Sequence, residues 1–289
     1  MTRRELFALA AAAAAAPQGF ASLEGRIERS ILISMLPKEL PLEERFRLAV
    51  ELGYGAMETQ TVDALEDARA IKDAADKAGL RIHSVMNMAH WRHPLSSPDP
   101  ADVEASVAGM LASLEQAELY GAEVVLLVPA VVRDDTSYEQ AWERSQPIIR
   151  ERLLPAAEKR GVIIGIEEVW NKFLLTPRDF VRYVDEFDHA LIKAYFDVGN
   201  IVHYGVPQHW IRAIGGERMV RVHLKDYSRQ DGFVNLGEGD INWPEVRRAL
   251  DDVGYKGPAT VELRAGDREY LADLGKRVDR LLGLREGDG

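Results

Sequence analysis

Four short apolar runs in this chain end on residues that can move a proton or hold a metal ion. They read Ile164-Gly165-Ile166-Glu167-Glu168, Ala194-Tyr195-Phe196-Asp197, Val220-Arg221-Val222-His223 and Thr260-Val261-Glu262. A strand buried on both faces of a parallel sheet is apolar throughout, so a charge at its end needs a reason. A buried carboxylate loses several kcal/mol of hydration unless something compensates it. A divalent cation shared by one of the two adjacent glutamates, Asp197, His223 and Glu262 would offset that cost and let three carboxylates sit close together. One imidazole among oxygen ligands, with open positions, suits manganese, magnesium or cobalt, and zinc is also compatible. The competing reading is a salt-bridge network through Arg221, Lys225 and Arg264. It suffices for any one of these residues, whereas four on successive runs favour the metal.

The elements that must carry these residues are visible from about residue 28 onward. Apolar runs at 30–35, 56–59, 81–86, 123–128, 162–167, 191–196, 219–224 and 259–263 read as buried strands. Between and after them lie amphipathic helical stretches at 42–52, 65–78, 101–120, 138–160, 177–187, 208–214, 243–253 and 267–282. Asp99-Pro100 and Thr176-Pro177 have the form of helix starts, a capping side chain followed by proline in the first turn. Eight strands alternating with eight helices predict a single (β/α)8 TIM barrel over residues 28–286. The C-terminal strand ends of such a barrel face its active site, and the four polar residues fall there. An open doubly wound sheet could also use eight strands, but no Gly-x-Gly-x-x-Gly turn follows an early strand.

The totals narrow the chemistry. A net charge of −11, from 36 basic and 47 acidic residues, argues against nucleic acid as a partner. The absence of cysteine excludes disulfides, thiolate zinc sites and cysteine nucleophiles. Residues 1–22 are set apart by Arg3-Arg4 ahead of Leu6-Phe7, an alanine-rich run at 8–16 and small residues near Ala21. That pattern predicts a cleavable twin-arginine signal peptide and export to the periplasm or beyond; without it the location would be cytoplasmic. The run is shorter than the roughly 20 residues of a membrane span. No other apolar stretch approaches that length, so no membrane span is expected; a homo-oligomer is compatible with the sequence.

Several longer pieces resemble a known family. They are Ile166-Glu167-Glu168-Val169-Trp170-Asn171-Lys172-Phe173, Tyr195-Phe196-Asp197-Val198-Gly199-Asn200, Val222-His223-Leu224-Lys225-Asp226 and Val261-Glu262-Leu263. Pro94-Leu95-Ser96-Ser97-Pro98-Asp99 and Leu236-Gly237-Glu238-Gly239 support them. The chain resembles the xylose-isomerase-like sugar isomerase and epimerase superfamily over nearly all its length after the signal. Within it, the chain is similar to ketose 3-epimerases such as those acting on tagatose or L-ribulose 5-phosphate. The resemblance implies Glu167, Asp197, His223 and Glu262 as metal ligands, which selects Glu167 over Glu168, with manganese the first expectation. It implies a small sugar substrate and Glu167 and Glu262 as the acid/base pair, removing a proton beside a ketose carbonyl through an enediolate at the metal. Return of a proton to the opposite face is epimerisation, and return to the neighbouring carbon is isomerisation. Relatives of the tagatose type often carry His three residues after the aspartate; here Asn200 stands there, with His203 further on.

Asn200, Lys225, His90 and Trp170 are the candidate substrate contacts. Lys225, two residues from His223, faces the same way along the strand. His90, Arg92 and His93 follow the third run, and Trp170 and Trp91 offer flat faces to a sugar. Glu58 is balanced between a pocket residue and an ion-pair partner, while Asp226 and Glu238 are expected to brace loops. The alternative activity is a metal-dependent lyase or dehydratase on oxidised keto sugars, which export would suit; a phosphorylated substrate would not suit export. A barrel endonuclease for abasic DNA would want more histidine ligands and a basic groove. A non-catalytic sugar-binding protein would be expected to have lost the acid/base pair, and both glutamates are present.

Overall fold

A computed structural model describes residues 23–284. The proposed signal at residues 1–22 lies outside the described residues. Eight parallel strands close into a barrel: β1 (Ile27–Leu32), β2 (Ala56–Gln60), β3 (Arg81–Met86), β4 (Val124–Leu127), β5 (Ile163–Glu167), β6 (Ile192–Asp197), β7 (Met219–Leu224) and β10 (Gly257–Val261). The ring order is β1-β10-β7-β6-β5-β4-β3-β2. Two further strands, β8 (Asp226–Ser228) and β9 (Gly232–Val234), form an antiparallel hairpin at the C-terminal end of β7. Residues facing out from the barrel strands, such as Ile164, Ile166, Val222 and Leu224, are buried against the surrounding helices.

The outer layer is α1 (Leu42–Glu51), α2 (Leu65–Ala78), α3 (Pro100–Tyr120), α4 (Tyr138–Ile148), α5 (Leu154–Arg160), α6 (Pro177–Asp185), a single turn α7 (Val198–Ile201), α8 (Pro207–Ile214), α9 (Trp243–Asp252) and α10 (Arg268–Leu282). The two capping sites read from the sequence form: Asp99 Oδ1 accepts from Ala101 N at 2.9 Å and Thr176 Oγ1 from Asp179 N at 3.1 Å. The stretch expected as one helix over 138–160 is broken by a π-turn at Ile149–Leu153. Pro155 lacks the N–H that would donate to residue 151, and its ring would strike that carbonyl, so the backbone widens ahead of it. The first strand stops at Leu32, earlier than expected, because Ile33–Met35 forms a 3-10 turn. No helix among the described residues is long and apolar enough to cross a membrane.

Two irregularities set what the barrel interior contains. Met57 pairs with Ile82 but Glu58 with Ser84, which leaves His83 as a bulged residue on β3. Ala194 pairs with Met219 but Tyr195 with Arg221, which leaves Val220 bulged on β7. Bulges re-aim side chains. His83 turns into the lumen, and β7 sends Arg221, His223 and the following Lys225 inward at successive levels.

Candidate metal centre and substrate cleft

The lumen is floored by a buried polar tier. His83 Nε2 lies 2.8 Å from Ser30 Oγ and 3.0 Å from Thr260 Oγ1, and Arg221 Nε donates to His83 Nδ1 at 3.0 Å. Arg221 also pairs with Glu123 at the rim below. Burial, reinforced by the Arg221 charge, holds His83 well below its ordinary pKa, so the ring is neutral and accepts at Nδ1. Above this tier lies Tyr195, whose ring centroid is 4.5 Å from that of His223. Gly165 makes room for it: a Cβ there would meet the Tyr195 ring and the Val124 side chain at 3.1 Å.

Glu167, Asp197, His223 and Glu262 are brought together above that floor, with one ligand atom from each within 4.8 Å of the others. They stand on or just past β5, β6, β7 and β10, four adjacent staves of the ring. His223 Nδ1 is 2.8 Å from Glu262 Oε2, 3.2 Å from Glu167 Oε1 and 3.8 Å from Asp197 Oδ2. Its other nitrogen, Nε2, is 2.6 Å from Glu58 Oε2 on β2, with both side chains fully buried. Asp197 Oδ1 accepts from the Asn200 N–H at 2.8 Å. Lys225 Nζ sits 3.0 Å from both Asp197 Oδ2 and Glu262 Oε2, as ion pairs without hydrogen-bond alignment.

This donor set fits a hard divalent cation. Asp197 Oδ2, Glu262 Oε2 and Glu58 Oε1 are buried without an aligned donor, and Lys225 is the single permanent cation among four carboxylates. Burial pushes Glu167 up to about 7, against the opposing pull of His223. Burial alone would raise Glu262 too, but Lys225 and His223 outweigh it and hold that carboxyl below the usual range. Burial also works against charging His223, yet the oxygens of Tyr195, Glu58, Glu262 and Glu167 outweigh it and raise its pKa. The cluster thus gathers positive charge from protons where a cation would supply it. Glu58 fixes which nitrogen faces the ligand position: a carboxylate at Nε2 keeps the proton there and leaves the Nδ1 lone pair toward the cluster.

The remaining sequence-derived residues fall as follows. Arg221 and Arg264 do not touch the four acids, so the salt-bridge reading reduces to Lys225. Glu168 is buried, and both its carboxylate oxygens lack partners; burial first, then the neighbouring Glu167 and Asp197, push its pKa well up. Asn200 turns its side-chain amide to the Glu168 carbonyl at 3.4 Å. Trp170 donates from Nε1 to the Asn200 carbonyl at 2.9 Å and stacks on Phe233 of the hairpin at 4.9 Å. His90 is buried, with Nδ1 3.4 Å from the Val128 N–H and Nε2 without a partner; burial lowers its pKa to about 3. His93 is tied to Asp102 of α3 at 2.8 Å. Asp226 accepts from Gly237 N at 2.7 Å and Trp243 Nε1 at 2.8 Å, bracing the hairpin, and Glu238 pairs with Arg277 at 2.8 Å.

A cleft of about 530 Å³ opens from Glu262 and Lys225 past Phe233 to Asn235, Arg264 and Tyr270. Sequence reasoning gave no role to Phe233, Tyr195 or His83, and left Glu58 undecided. The signal for Glu58 was present: it is a charge inside the short run Ala56-Met57-Glu58-Thr59.

Residues 46–281 match the family model of the xylose isomerase-like TIM barrel, and the chain belongs to that family. The L-ribulose-5-phosphate 3-epimerase UlaE of Salmonella paratyphi A is 24% identical over 273 residues, covering 88% of this chain and 94% of that one. A D-allulose 3-epimerase from Methylomonas sp., solved with D-allulose, superposes with a TM-score of 0.75 at 19% identity, covering 90% of this chain and 98% of that one. The IOLI protein, solved with a zinc atom, superposes with a TM-score of 0.72 at 16% identity, covering 89% and 98%. At these identities the two superpositions speak for the fold alone.

Proposed function

We propose that this protein is a divalent-metal-dependent ketose epimerase, in which Glu167 and Glu262 exchange a proton with the carbon beside the carbonyl. One observation carries the reading. The two glutamates occupy the outer two of four adjacent staves, with Asp197 and His223 between them, and one potential ligand atom from each lies within 4.8 Å of the others. A sugar carbon held over the middle pair is therefore flanked by a carboxylate on either side. The names of the curated relative and of the allulose-bound neighbour support ketose 3-epimerisation, and the zinc-bound neighbour is in keeping with a metal in such a barrel.

A divalent cation held by Glu167, Asp197, His223 and Glu262 would polarise the ketose carbonyl and acidify the adjacent C–H. One glutamate takes the proton from one face of that carbon, and the other returns a proton from the opposite face. Lys225 keeps Glu262 ionised and ready to accept. Glu58 and the Asn200 N–H hold His223 and Asp197 in place, so the pair faces a fixed target. Phe233, stacked on Trp170, forms one wall of the cleft.

The test is incubation of the metal-loaded protein with ketoses in D₂O, following carbon-bound deuterium by NMR. Deuterium entering beside the carbonyl with inversion, lost on chelation and in Glu262→Gln, is the expected result. Exchange that survives both treatments would overturn the assignment. Loss of a group from a keto-glycoside without inversion would move the protein to lyase chemistry.

A further inference from the structure

The cleft that begins at Glu262 ends on an exposed cation, Arg264, without a carboxylate partner among the described residues. Lys225 is taken up by Asp197 and Glu262, and Glu238 by Arg277. Arg264 has no carboxylate within 4.0 Å among the described residues, although it lines the same cleft as Glu262. Its guanidinium lies 4.5 Å from the centroid of the Tyr270 ring. The Tyr270 hydroxyl in turn donates to Asn235 Oδ1 at 3.0 Å. Two loops therefore converge here: Asn235 follows the β8–β9 hairpin, and Arg264 and Tyr270 flank the start of α10.

A guanidinium held over an aromatic ring is braced by it and loses less freedom when it binds. The Oδ1 of Asn235 is committed to Tyr270, so its amide nitrogen remains as a second donor beside the fork. A neutral polyol has no need of such a group, whereas a planar or tetrahedral oxyanion matches it with paired charge-assisted hydrogen bonds.

Resting on the epimerase reading above, we propose that Arg264, braced by Tyr270 and flanked by Asn235, recognises a negatively charged group on the carbon chain of the substrate. The substrate class is an acidic ketose, bearing either a phosphate ester or a carboxylate at the end remote from the carbonyl. The reacting carbon lies over the carboxylate pair, and the anion reaches along the cleft to the fork. This subsite sits outside the metal centre, so charge recognition and proton transfer are separate functions of one cleft.

The experiment compares kcat/KM for deuterium exchange on L-ribulose, L-ribulose 5-phosphate and D-tagaturonate, with wild type and Arg264→Gln. Wild type is expected to prefer one of the two anionic sugars over L-ribulose by about 10- to 100-fold, the scale of a charge-assisted pair. Which of them it prefers identifies the oxyanion. Arg264→Gln is expected to collapse that ratio to within about threefold of one, with the change in KM more than in kcat, and Arg264→Lys to fall between. A wild-type ratio near one for both anions, or a ratio unchanged by Arg264→Gln, would overturn the subsite. Inorganic phosphate titrated against both proteins by calorimetry reads the subsite without turnover. Should none of the three sugars exchange deuterium, the epimerase reading fails. Phosphate binding lost in Arg264→Gln would then still support the oxyanion subsite, and its absence in wild type would overturn it.

Discussion

The clearest consequence of the geometry concerns Glu58, which is fully buried and lies on the far wall of the barrel from the four proposed ligands. Its carboxylate accepts from His223 Nε2 at 2.6 Å, and both groups are fully buried. Glu58→Ala leaves that N–H unpartnered and lets the imidazole turn or change tautomer, so Nδ1 no longer faces the ligand position. Loss of such a partner weakens metal binding by about 10- to 100-fold, or about 1.4 to 2.7 kcal/mol. The stabilisation conferred by excess metal falls by the same amount. At about 2 to 4 °C per kcal/mol for a domain of this size, the metal-induced rise in Tm shrinks by about 3 to 11 °C. Thermal melts with and without chelator read this directly, and chelator competition gives the Kd. Glu58→Gln keeps an acceptor at Nε2 but removes a buried charge, so it should lose less affinity. Its metal-free form should be at least as stable as wild type, because one of the crowded carboxylates is gone. If Glu58→Ala bound metal within about twofold of wild type while His223→Ala lost it, Glu58 would have no part in aligning His223.

Other perturbations have defined directions. Glu167→Gln and Glu262→Gln should each lower turnover by about 10²- to 10⁴-fold with the fold retained, measured by deuterium exchange and circular dichroism. Glu167 binds a proton in the folded protein up to about pH 7 that it would lose near 4.5 in the unfolded chain, so the contribution of this group to metal-free stability falls as pH rises between those values. The same proton competes with the cation; metal affinity should therefore weaken as pH falls through about 7, with proton release seen by calorimetry in buffers of different ionisation enthalpy. Arg221→Met strips the floor of its donors to His83 and should cost about 2 to 4 kcal/mol in urea unfolding. Gly199→Ala should impair both folding yield and metal binding, since its Cβ would lie 2.5 Å from the Cβ of Lys225.

Much of this architecture could be read from the residues, and the failures have physical causes. The strands at 81–86 and 219–224 were read to the residue because a charged residue or a turn bounds each apolar run. The first strand was placed three residues late: the apolar residues Ile31, Leu32, Ile33, Met35 and Leu36 stay buried through the 3-10 turn, and burial does not separate a strand from a turn. The hairpin at 226–234 was missed because its three-residue strands have no room for a period-two pattern. Glu167, Asp197, His223 and Glu262 were legible because each breaks an apolar run at the end that faces the active site. Choosing Glu167 over Glu168 needed the family resemblance, since both are buried and only their direction differs. Glu58 was legible by the same rule as the four ligands, but its partner lies 165 residues away and no local spacing announces it. The floor was hidden more deeply, because a bulge that turns His83 inward is a property of strand register.

The two inward residues of β7 below the rim are held from the other half of the chain: Arg221 by His83 of β3, and His223 by Glu58 of β2. All four proposed ligands are encoded between residues 163 and 262, yet Glu58, which holds His223 from behind, is encoded before residue 84. A half-barrel cut from the C-terminal part would carry the complete proposed ligand set without the carboxylate that aligns His223. As the chain emerges from a ribosome, the clamps are made first and the centre they hold is made last. The proposed metal centre would therefore mature only when the second half has closed against the first, which would make it a marker of finished barrel closure as well as a place for chemistry.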